Sequence, residues 1–449
     1  MKTSGKSIRK FPASAIQKQF WFISQMQPEN AAYHIVEAFR IKGKLDLFAL
    51  EKSINEIISR HEIFRTCFSF DDGELIQNIL PELQLTIGGI CLNGETKSPN
   101  EASRLLQREI ERPFDLGICP LIRVTVLRLQ SESYQIIFVL HHIITDLETK
   151  ILFAKELSQI YLSNVKKEPF LLEKPPYQYS DYATWQKEWL LGEKSAAMCS
   201  YWESRLKGTT GVLHLPAGKK RPTVQSLKGG ALPIRFSPSF TEELKQFGRQ
   251  NTVNLFLVLL TVYVVMLSRY CGQNDIIVGV PLTNRRNSQH KSTMGCFVNT
   301  LPLVVSVAGD PAFKDLLHRV RLAMLGAHRN QETPFVQIVD KVKPARNPGY
   351  NPLYQAGFTF EPPMPLVLGG LRMEPVFVHH GGSQLDLFAV FWESNAVLEG
   401  FLEYNTDIFE KWELVIFADN FHSLLKSVIV DANQPISSLS VISEHEKQW

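Results

Sequence analysis

The stretch that decides the fold is Tyr134–Asp146, with the sequence YQIIFVLHHIITD. Its first part, Tyr134–Leu140, is a short continuous apolar run, which predicts a strand covered on both faces. From Leu147 to Leu162 the apolar residues follow helical spacing instead. A buried strand therefore ends, and a helix begins, around His141 and His142. Because a rigid sheet can hold such a loop in place, these histidines are the first candidates for chemistry.

The sequence of this loop allows two interpretations. Neighbouring strand residues point to opposite faces, so one of His141 and His142 can face a cleft while the other packs inside. An imidazole titrates near neutral pH and suits proton transfer. Asp146 either orients a histidine or pairs with an arginine. The same string also fits a buried histidine pair beside a helix-start aspartate, and Thr145 with Glu148 is the predicted capping box.

The rest of the chain alternates strand and helix patterns, which predicts an α/β fold in two lobes. Pro169, Pro175 and Pro176 interrupt the chain and predict an N-terminal lobe over residues 1–174 and a C-terminal lobe over 175–449. Helices are predicted over Leu47–Ile58 and Asn254–Tyr270. Strands are predicted over Leu121–Leu129, Asp275–Val280, Leu301–Val307, Gln355–Phe360, Leu387–Trp392 and Val397–Leu402.

Composition excludes several classes of protein. The chain has 449 residues, and 48 Lys and Arg against 45 Asp and Glu give a net charge of +3, which argues against a nucleic-acid partner held by bulk charge. The longest apolar run, Leu255–Leu267, is too short to span a bilayer, so no membrane partner is predicted. The N-terminus lacks a signal peptide's apolar stretch, and the six cysteines form no CxxC pair; both favour a cytoplasmic protein with reduced thiols.

Motifs of several other chemistries are missing from the sequence. There is no GxSxG elbow, no GxGxxG and no GxxxxGK[ST], so acyl-enzyme and nucleotide mechanisms have no support. No second ligand pair stands near His141 and His142, and His379-His380 is a weak candidate, so no metal is predicted. If His142 is catalytic, it assists attack by a nucleophile that the substrate itself carries.

Eight segments, in order along nearly the full chain, resemble the motifs of condensation domains of nonribosomal peptide synthetases. HHIITD at 141–146 matches HHxxxD, the string of that family. The others are SAIQKQFWF at 14–22, RHEIFRTCF at 60–68, PFDL at 113–116 with PLIR at 120–123, YSDYATW at 179–185, GCFVNT at 295–300, RNP at 346–348 and YNTDIF at 404–409.

The resemblance implies a fold and a reaction. The fold is α/β, with two chloramphenicol-acetyltransferase-like lobes in a V-shaped pseudo-dimer and a central tunnel. The reaction joins a donor acyl or peptidyl thioester to the amine of an acceptor aminoacyl thioester. Donor and acceptor carrier proteins bring both substrates on 4′-phosphopantetheine arms, so no permanently bound cofactor is expected. An adjoining adenylation domain is expected, because 435–443 resembles the linker that leads to one; the chain then looks like one domain of a longer synthetase.

The resemblance also implies roles for single residues. His142, His141 and Asp146 are the catalytic set, in which His142 holds the amine by hydrogen bonding and proton transfer is secondary. Asp146 is expected to form a structural ion pair, with Arg65 as first choice and Arg285 as second. Four further residues are expected to shape the tunnel or the substrate site: Leu147, Gly295, Asn299 and Ser383. The motif aromatics Phe64, Phe68, Tyr182, Trp185 and Phe297 are expected in the core. Asp181 is expected either to cap a helix or to tie the crossing between the lobes.

Three departures from the family pattern leave the substrates open. Leu147 replaces the glycine that usually follows HHxxxD, so either the tunnel is rearranged, activity is reduced, or the leucine simply packs. Asn284 stands where glycine is frequent, and 330–335 keeps only part of HQxxPFE.

Four rival functions remain open. An epimerisation domain shares the fold, although RHEIFRTCF and YNTDIF favour condensation. A heterocyclisation domain would carry aspartate in place of His141. A catalytically silent docking domain is favoured by Leu147 and disfavoured by His142 with Asp146. The fourth is an acyltransferase that uses a freely diffusing amine or alcohol.

Overall fold

The computed structural model describes residues 7–91, 99–170, 172–209 and 211–441. The first six residues of the N-terminus, which is predicted to carry no signal peptide, and residues 442–443 of the predicted linker lie outside these ranges.

Strands and helices alternate along the described chain. The strands are β1 (Arg9–Pro12), β2 (His34–Lys42), β3 (Thr66–Asp71), β4 (Glu74–Ile79), β5 (Gly88–Cys91), β6 (Ile122–Gln130), β7 (Ser133–His141), β8 (Gly229–Arg235), β9 (Asp275–Leu282), β10 (Asn299–Ser306), β11 (Ala356–Phe360), β12 (Arg372–Val376), β13 (Leu387–Ser394) and β14 (Val397–Asn405). The helices are α1 (Ala15–Met26), α2 (Leu47–Arg60), α3 (Pro99–Glu111), α4 (Leu147–Lys166), α5 (Tyr179–Trp189), α6 (Glu193–Leu206), α7 (Pro238–Gln250), α8 (Leu255–Cys271), α9 (Phe313–Arg329), α10 (Phe335–Val342) and α11 (Lys411–Val430).

The chain forms two compact units, and each is made of three separate segments of the sequence. Unit 1 comprises Met1–Gly192, Thr283–Val298 and Pro363–Gly381, and unit 2 comprises Glu193–Leu282, Asn299–Pro362 and Gly382–Trp449. The boundary predicted between residues 174 and 175 lies inside unit 1 by this description. The two functional lobes therefore stay a prediction.

Unit 1 is built on a five-stranded sheet with the order β12-β2-β7-β6-β5. The central strand, β7, runs antiparallel to β2 and β6, with His34 opposite His141. Ile136–His141 is buried throughout, which confirms the prediction of a covered strand. Helices α2 and α4 pack on the sheet through Ile54, Ile57, Phe153 and Leu157. β7 therefore has a strand along each edge, and helices cover the sheet that contains it.

Unit 2 is built on a six-stranded sheet with the order β10-β9-β11-β13-β14-β8. β11 is parallel to β9 and β13, and the other pairs are antiparallel. In α8, Val258–Leu267 is wholly buried in the core of this unit. No single helix in the described ranges is long and apolar enough to cross a membrane. Only α7 together with α8 reaches the required length and composition, and a 98° bend separates the two.

Most element predictions are confirmed, with ends shifted by a few residues. Phe64, Phe68, Tyr182 and Phe297 are buried core residues, as expected. The prediction that Trp185 lies in the core is wrong, because this residue is 37% exposed. Its ring lies between those of Tyr182 and Trp189, with centroids 5.9 and 5.8 Å away. Of the two roles expected for Asp181, the capping role is confirmed, since its carboxylate accepts the Gln178 backbone N–H at the start of α5.

Candidate functional site

The histidine loop is a sharp turn between β7 and α4. β7 ends at His141, a short 3-10 turn covers His142–Ile144, and α4 begins at Leu147. The cap of α4 is Asp146, whose Oδ1 accepts the Thr149 backbone N–H at 2.9 Å. The predicted capping box of Thr145 and Glu148 is therefore wrong. The helix starts one residue later than that box requires, and a carboxylate also favours the positive end of the helix.

Asp146 forms a buried ion pair with Arg285. Arg285 Nη2 lies 2.8 Å from Asp146 Oδ1 and 3.1 Å from Oδ2. The two side chains are 4% and 3% exposed, so water screens the pair very little. The Phe297 backbone N–H also donates to Oδ2 at 2.9 Å. Both carboxylate oxygens thus have donors, which a buried charge requires.

Arg285 fixes a second segment of unit 1 against the same carboxylate. Its Nη1 donates to the carbonyls of His290 at 2.6 Å and Thr293 at 2.5 Å. The guanidinium lies over the Phe297 ring, 4.0 Å from the centroid. Loop 285–297 is therefore fastened to the start of α4 by one arginine.

Arg65, the preferred partner in the sequence prediction, does not reach Asp146 in the structure. It pairs with Glu62 at 3.5 Å and donates to the Leu80 carbonyl. Glu62 lies three residues earlier in the same 3-10 turn, so the two side chains meet locally. The preference for Arg65 is thus corrected in favour of Arg285.

His142 is oriented by its own turn. Its Nδ1 lies 2.8 Å from the Thr145 carbonyl oxygen, which can only accept. Nδ1 therefore carries a proton, and in the neutral ring Nε2 is the acceptor nitrogen. The His142 backbone N–H donates to Tyr33 O at 2.8 Å, and the ring lies 5.1 Å from that of Phe20. Cys296 Sγ lies 3.7 Å from Nδ1. These contacts hold the ring in one orientation and one tautomer.

His141 is the histidine of the pair that packs inside, a choice that the alternation of strand side chains left open. It is 6% exposed, and its Nδ1 accepts the Ile143 backbone N–H at 3.0 Å. Burial lowers the pKa of His141 well below its usual value, and the nearby charges of His34, His142 and Arg123 lower it further. His141 is therefore neutral at physiological pH and shapes the turn.

Gly295 occupies a position that no other residue fits. Its φ is +151°, and an added Cβ would lie 1.9 Å from the Tyr179 ring. The Thr149 hydroxyl accepts from Gly295 N at 2.9 Å and donates to Gly295 O at 2.6 Å. In unit 1, Gly295 therefore lets its backbone approach Tyr179 and α4.

Leu147 and Asn284 show how the chain accommodates two departures from the glycine pattern. Leu147 is the first residue of α4 and is partly exposed, so the backbone there needs no glycine. Asn284 has a φ of +51°, the left-handed region that asparagine tolerates better than most residues. Backbone geometry thus explains the family's glycine at 284 but not at 147.

Asn299 and Ser383 belong to unit 2. The Asn299 side-chain amide donates to the carbonyls of Gln331 at 2.8 Å and Thr333 at 2.6 Å. Ser383 is fully buried, and its hydroxyl donates to the Leu385 carbonyl at 2.6 Å. Both side chains tie loops of their own unit, and their part in shaping a substrate site stays a prediction.

Sequence reasoning missed four residues that support the loop. The Thr149 hydroxyl hydrogen-bonds the Gly295 backbone, and the Tyr179 ring limits the space beside Gly295. Cys296 and Phe20 contact the His142 ring. The capping rule could have marked the backbone N–H of Thr149, but not the hydroxyl that contacts Gly295. The other three residues contact the loop from distant parts of the chain. The matched motifs contain these residues but do not show which side chains meet.

Comparisons with known proteins identify the family. A profile described as "Condensation domain" matches residues 7–449. One of the linear gramicidin synthase proteins of Brevibacillus parabrevis is 36% identical over 98% of this chain and 9% of its own length. Tyrocidine synthase 3 of the same organism is 32% identical over 98% of this chain and 7% of its own length. The chain thus spans less than a tenth of these curated relatives.

Solved structures share the fold. A four-domain nonribosomal peptide synthetase bound to AMP and glycine has a TM-score of 0.89 at 22% identity, covering 100% of this chain and 35% of that one. The X-domain from teicoplanin biosynthesis has a TM-score of 0.87 at 22% identity, covering 98% and 99%. The first condensation domain of the calcium-dependent antibiotic synthetase with a substrate analogue has a TM-score of 0.82 at 18% identity, covering 97% and 100%. This α/β fold is the chloramphenicol-acetyltransferase-like fold that the sequence predicted, and with the full-length profile match it shows that the chain belongs to the condensation-domain family of nonribosomal peptide synthetases.

Proposed function

We propose that this chain forms amide bonds between two carrier-bound substrates. The amine of an aminoacyl thioester on the acceptor carrier attacks the acyl or peptidyl thioester on the donor carrier. The observation that carries the proposal is the orientation of His142, with Nδ1 protonated toward Thr145 and Nε2 as the acceptor nitrogen. An acceptor nitrogen is what an attacking amine needs to orient its N–H.

The catalytic demand in this proposal is modest. A thioester is already activated, so the main requirements are an uncharged amine and a fixed geometry. His142 hydrogen-bonds the amine through Nε2 and takes its proton in a secondary role. Asp146 remains paired with Arg285 and hydrogen-bonded to the Phe297 backbone N–H. It acts by holding the turn that carries His142. His141 has a lowered pKa and an interior position, so its part is to shape that turn.

The proposal includes the partners that the sequence predicted. Both substrates arrive on the 4′-phosphopantetheine arms of carrier proteins, and no permanently bound cofactor is needed. An adenylation domain loads the acceptor amino acid in the complete synthetase. The cytoplasmic location, where such precursors are made, belongs to the same proposal.

A transfer assay tests the proposal. A donor carrier loaded with an acyl group and an acceptor carrier loaded with an amino acid are mixed with the protein, and both carriers are followed by intact-protein mass spectrometry. We expect the acyl mass to leave the donor and appear on the acceptor. Free amino acid replaces the loaded acceptor in a parallel reaction. Equal transfer to the free amine would contradict the carrier-bound acceptor.

Leu147 supports a second candidate function, a domain that recruits a separate tailoring enzyme. Leucine adds four carbons where the family pattern has glycine, and the backbone at this position does not require glycine. An X-domain from teicoplanin biosynthesis, solved in complex with OxyB, has a TM-score of 0.84 to this chain. No transfer with any carrier pair, together with stable binding to a separate tailoring enzyme, would favour this candidate.

A further inference from the structure

The hydroxyl of Tyr179, the first residue of α5, is buried in unit 1 and makes two hydrogen bonds. Burial raises the pKa of Tyr179 well above its usual value, so the hydroxyl keeps its proton. It donates that proton to the Cys296 backbone carbonyl, which can only accept. The Ser14 hydroxyl, 2.8 Å away, therefore donates to the Tyr179 oxygen. Ser14 thus fixes the direction of the bond from Tyr179 to Cys296.

Ser14 is itself held in place at the start of α1. Its Oγ accepts the Gln17 backbone N–H at 3.3 Å, and the Gln17 side-chain oxygen accepts the Ser14 backbone N–H at 3.0 Å. This capping box leaves the Ser14 hydroxyl proton for Tyr179. The Gln17 side-chain amide also donates to the Ile143 carbonyl at 3.4 Å. The start of α1, the histidine turn and Tyr179 are therefore joined by hydrogen bonds.

Cys296 connects Tyr179 to the His142 ring. Its backbone carbonyl accepts from Tyr179, and its Sγ lies 3.7 Å from His142 Nδ1. The Nδ1 proton is donated to the Thr145 carbonyl at 2.8 Å, so the sulfur is a second, weaker acceptor of the same proton. The position of the Cys296 backbone therefore decides whether the sulfur contacts the ring.

The Cys296 sulfur is a neutral thiol. Cys296 is fully buried, and burial, followed by the Asp146 charge, raises the pKa of its thiol well above the usual value. The thiolate is the nucleophilic form of cysteine, so this thiol does not compete with an amine for an acyl group. Its effect on His142 is that of a contact.

We propose that Tyr179 is a positioning residue for His142 and acts through Cys296. Its hydroxyl fixes the Cys296 backbone, and the Cys296 sulfur then limits the rotation of the His142 ring, so that Nδ1 faces Thr145 and Nε2 stays the acceptor nitrogen. The effect on the rate of acyl transfer rests on the proposed function, whereas the effect on the ring does not.

Tyr179→Phe tests the hydroxyl alone, because a phenylalanine ring keeps the ring contacts that Tyr179 makes with Tyr182 and Phe297. The protein is labelled with 13C-histidine, and the Cε1–H resonance of His142 is identified by its absence in His142→Ala. The His142 ring lies 5.1 Å from the Phe20 ring, so any rotation changes the ring-current shift. We expect the His142 resonance to shift or broaden in Tyr179→Phe.

Tyr182→Phe is the matched control. It also removes a hydroxyl from a buried tyrosine of α5, but that hydroxyl accepts the Gln186 side-chain amide at 2.8 Å. The His142 resonance should stay unchanged in this variant. An unchanged His142 resonance in folded Tyr179→Phe, or equal changes in both variants, would overturn the proposal.

The single-turnover rate of acyl transfer gives a second readout. We expect Tyr179→Phe to slow transfer by about 10-fold at saturating acceptor carrier, because a misplaced ring disturbs the reacting geometry. The carrier concentration that gives half the maximal rate should not change. An unchanged maximal rate would overturn the proposal. Absence of transfer in the unsubstituted protein would contradict the proposed function alone, and the His142 resonance would still decide the role of Tyr179.

Cys296→Ala tests the route from Tyr179 to His142. This variant removes the sulfur itself and should slow transfer to a similar extent, so it also serves where Tyr179→Phe does not fold. If Tyr179 acts through Cys296, the double variant should be no slower than the slower single variant. Losses that multiply in the double variant would overturn the route through Cys296.

Discussion

Arg285 holds Asp146 by donating from Nη2 to both carboxylate oxygens, at 2.8 and 3.1 Å. The two residues are 139 positions apart in the sequence and almost completely buried. Because Asp146 also caps α4, one carboxylate joins loop 285–297 to the helix that follows His142. The main role of Asp146 is therefore to hold the turn in place.

Breaking this pair should destabilise the protein strongly. Asp146→Asn leaves the Arg285 charge buried without its counter-ion, which should lower the free energy of unfolding by about 3–5 kcal/mol. Chemical denaturation followed by circular dichroism measures the loss. The exposed pair of Glu242 and Arg249 provides the matched control, and Glu242→Gln should change the midpoint little. Equal losses in the two variants would contradict the account of the buried pair.

Replacing Gly295 should cost more than backbone strain alone. Gly295→Ala places a Cβ 1.9 Å from the Tyr179 ring, at a φ of +151°. Gly73→Ala is the control, because Gly73 also has a positive φ but no atom within 4 Å of the added Cβ. We expect Gly73→Ala to lower the unfolding free energy by about 1 kcal/mol and Gly295→Ala by at least twice as much. Thermal unfolding of both variants measures the difference. Equal shifts would show that the close approach of the added Cβ to Tyr179 has no cost.

Acid should weaken unit 1 through its buried histidines. Burial lowers the pKa of His34 to about 4, from an ordinary value near 6.5. Between these values the unfolded chain binds the proton more readily than the folded one, so stability is lost as the pH falls from 6.5 to 4. The loss from His34 should approach about 1.4 kcal/mol per pH unit. His141 adds to it in the same direction.

Denaturation of His34→Asn at several pH values checks this slope. The variant should show a shallower fall in unfolding free energy below pH 6.5. His214→Asn, at an exposed position, should keep the slope of the unsubstituted protein. An unchanged slope in His34→Asn would show that His34 is not responsible.

Leu147→Gly tests whether the departure from the glycine pattern affects substrate choice. Leu147 needs no special backbone angle in α4, so the change should cost less than about 1 kcal/mol of stability. If the leucine restricts the path of the pantetheine arm, Leu147→Gly should raise the transfer rate or broaden the range of donors. An unchanged rate and range would show that Leu147 only packs. Transfer from a series of acyl-loaded carriers measures both.

The sequence predicts the elements and the loop well because their signals are local. The apolar run at Tyr134–Leu140 and the helical spacing after Leu147 give β7 and α4 within a few residues. The cap of α4 was misplaced by one residue, because Thr145 and Asp146 are both good capping types. Only the observed hydrogen bond to Thr149 decides between them.

Long-range contacts explain what the sequence could not predict. Arg65 and Arg285 both stand in matched or nearly matched motifs, and no local pattern tells which one reaches Asp146. Glu62 holds Arg65 in its own turn, so Arg285 alone of these two reaches the carboxylate. In the same way, GCFVNT marks Gly295 but does not show that the Tyr179 ring lies beside it.

The single-turnover rate of acyl transfer in His142→Ala tests the central claim most directly. Both carriers are loaded, the protein is in excess, and transfer is followed by intact-protein mass spectrometry. His214→Ala, an exposed histidine in unit 2, is the matched control, and circular dichroism checks that both variants are folded. Loss of the amine's hydrogen-bond acceptor should slow transfer by about 100-fold or more in His142→Ala and leave His214→Ala unchanged. Transfer at the unsubstituted rate in folded His142→Ala would contradict the role of His142.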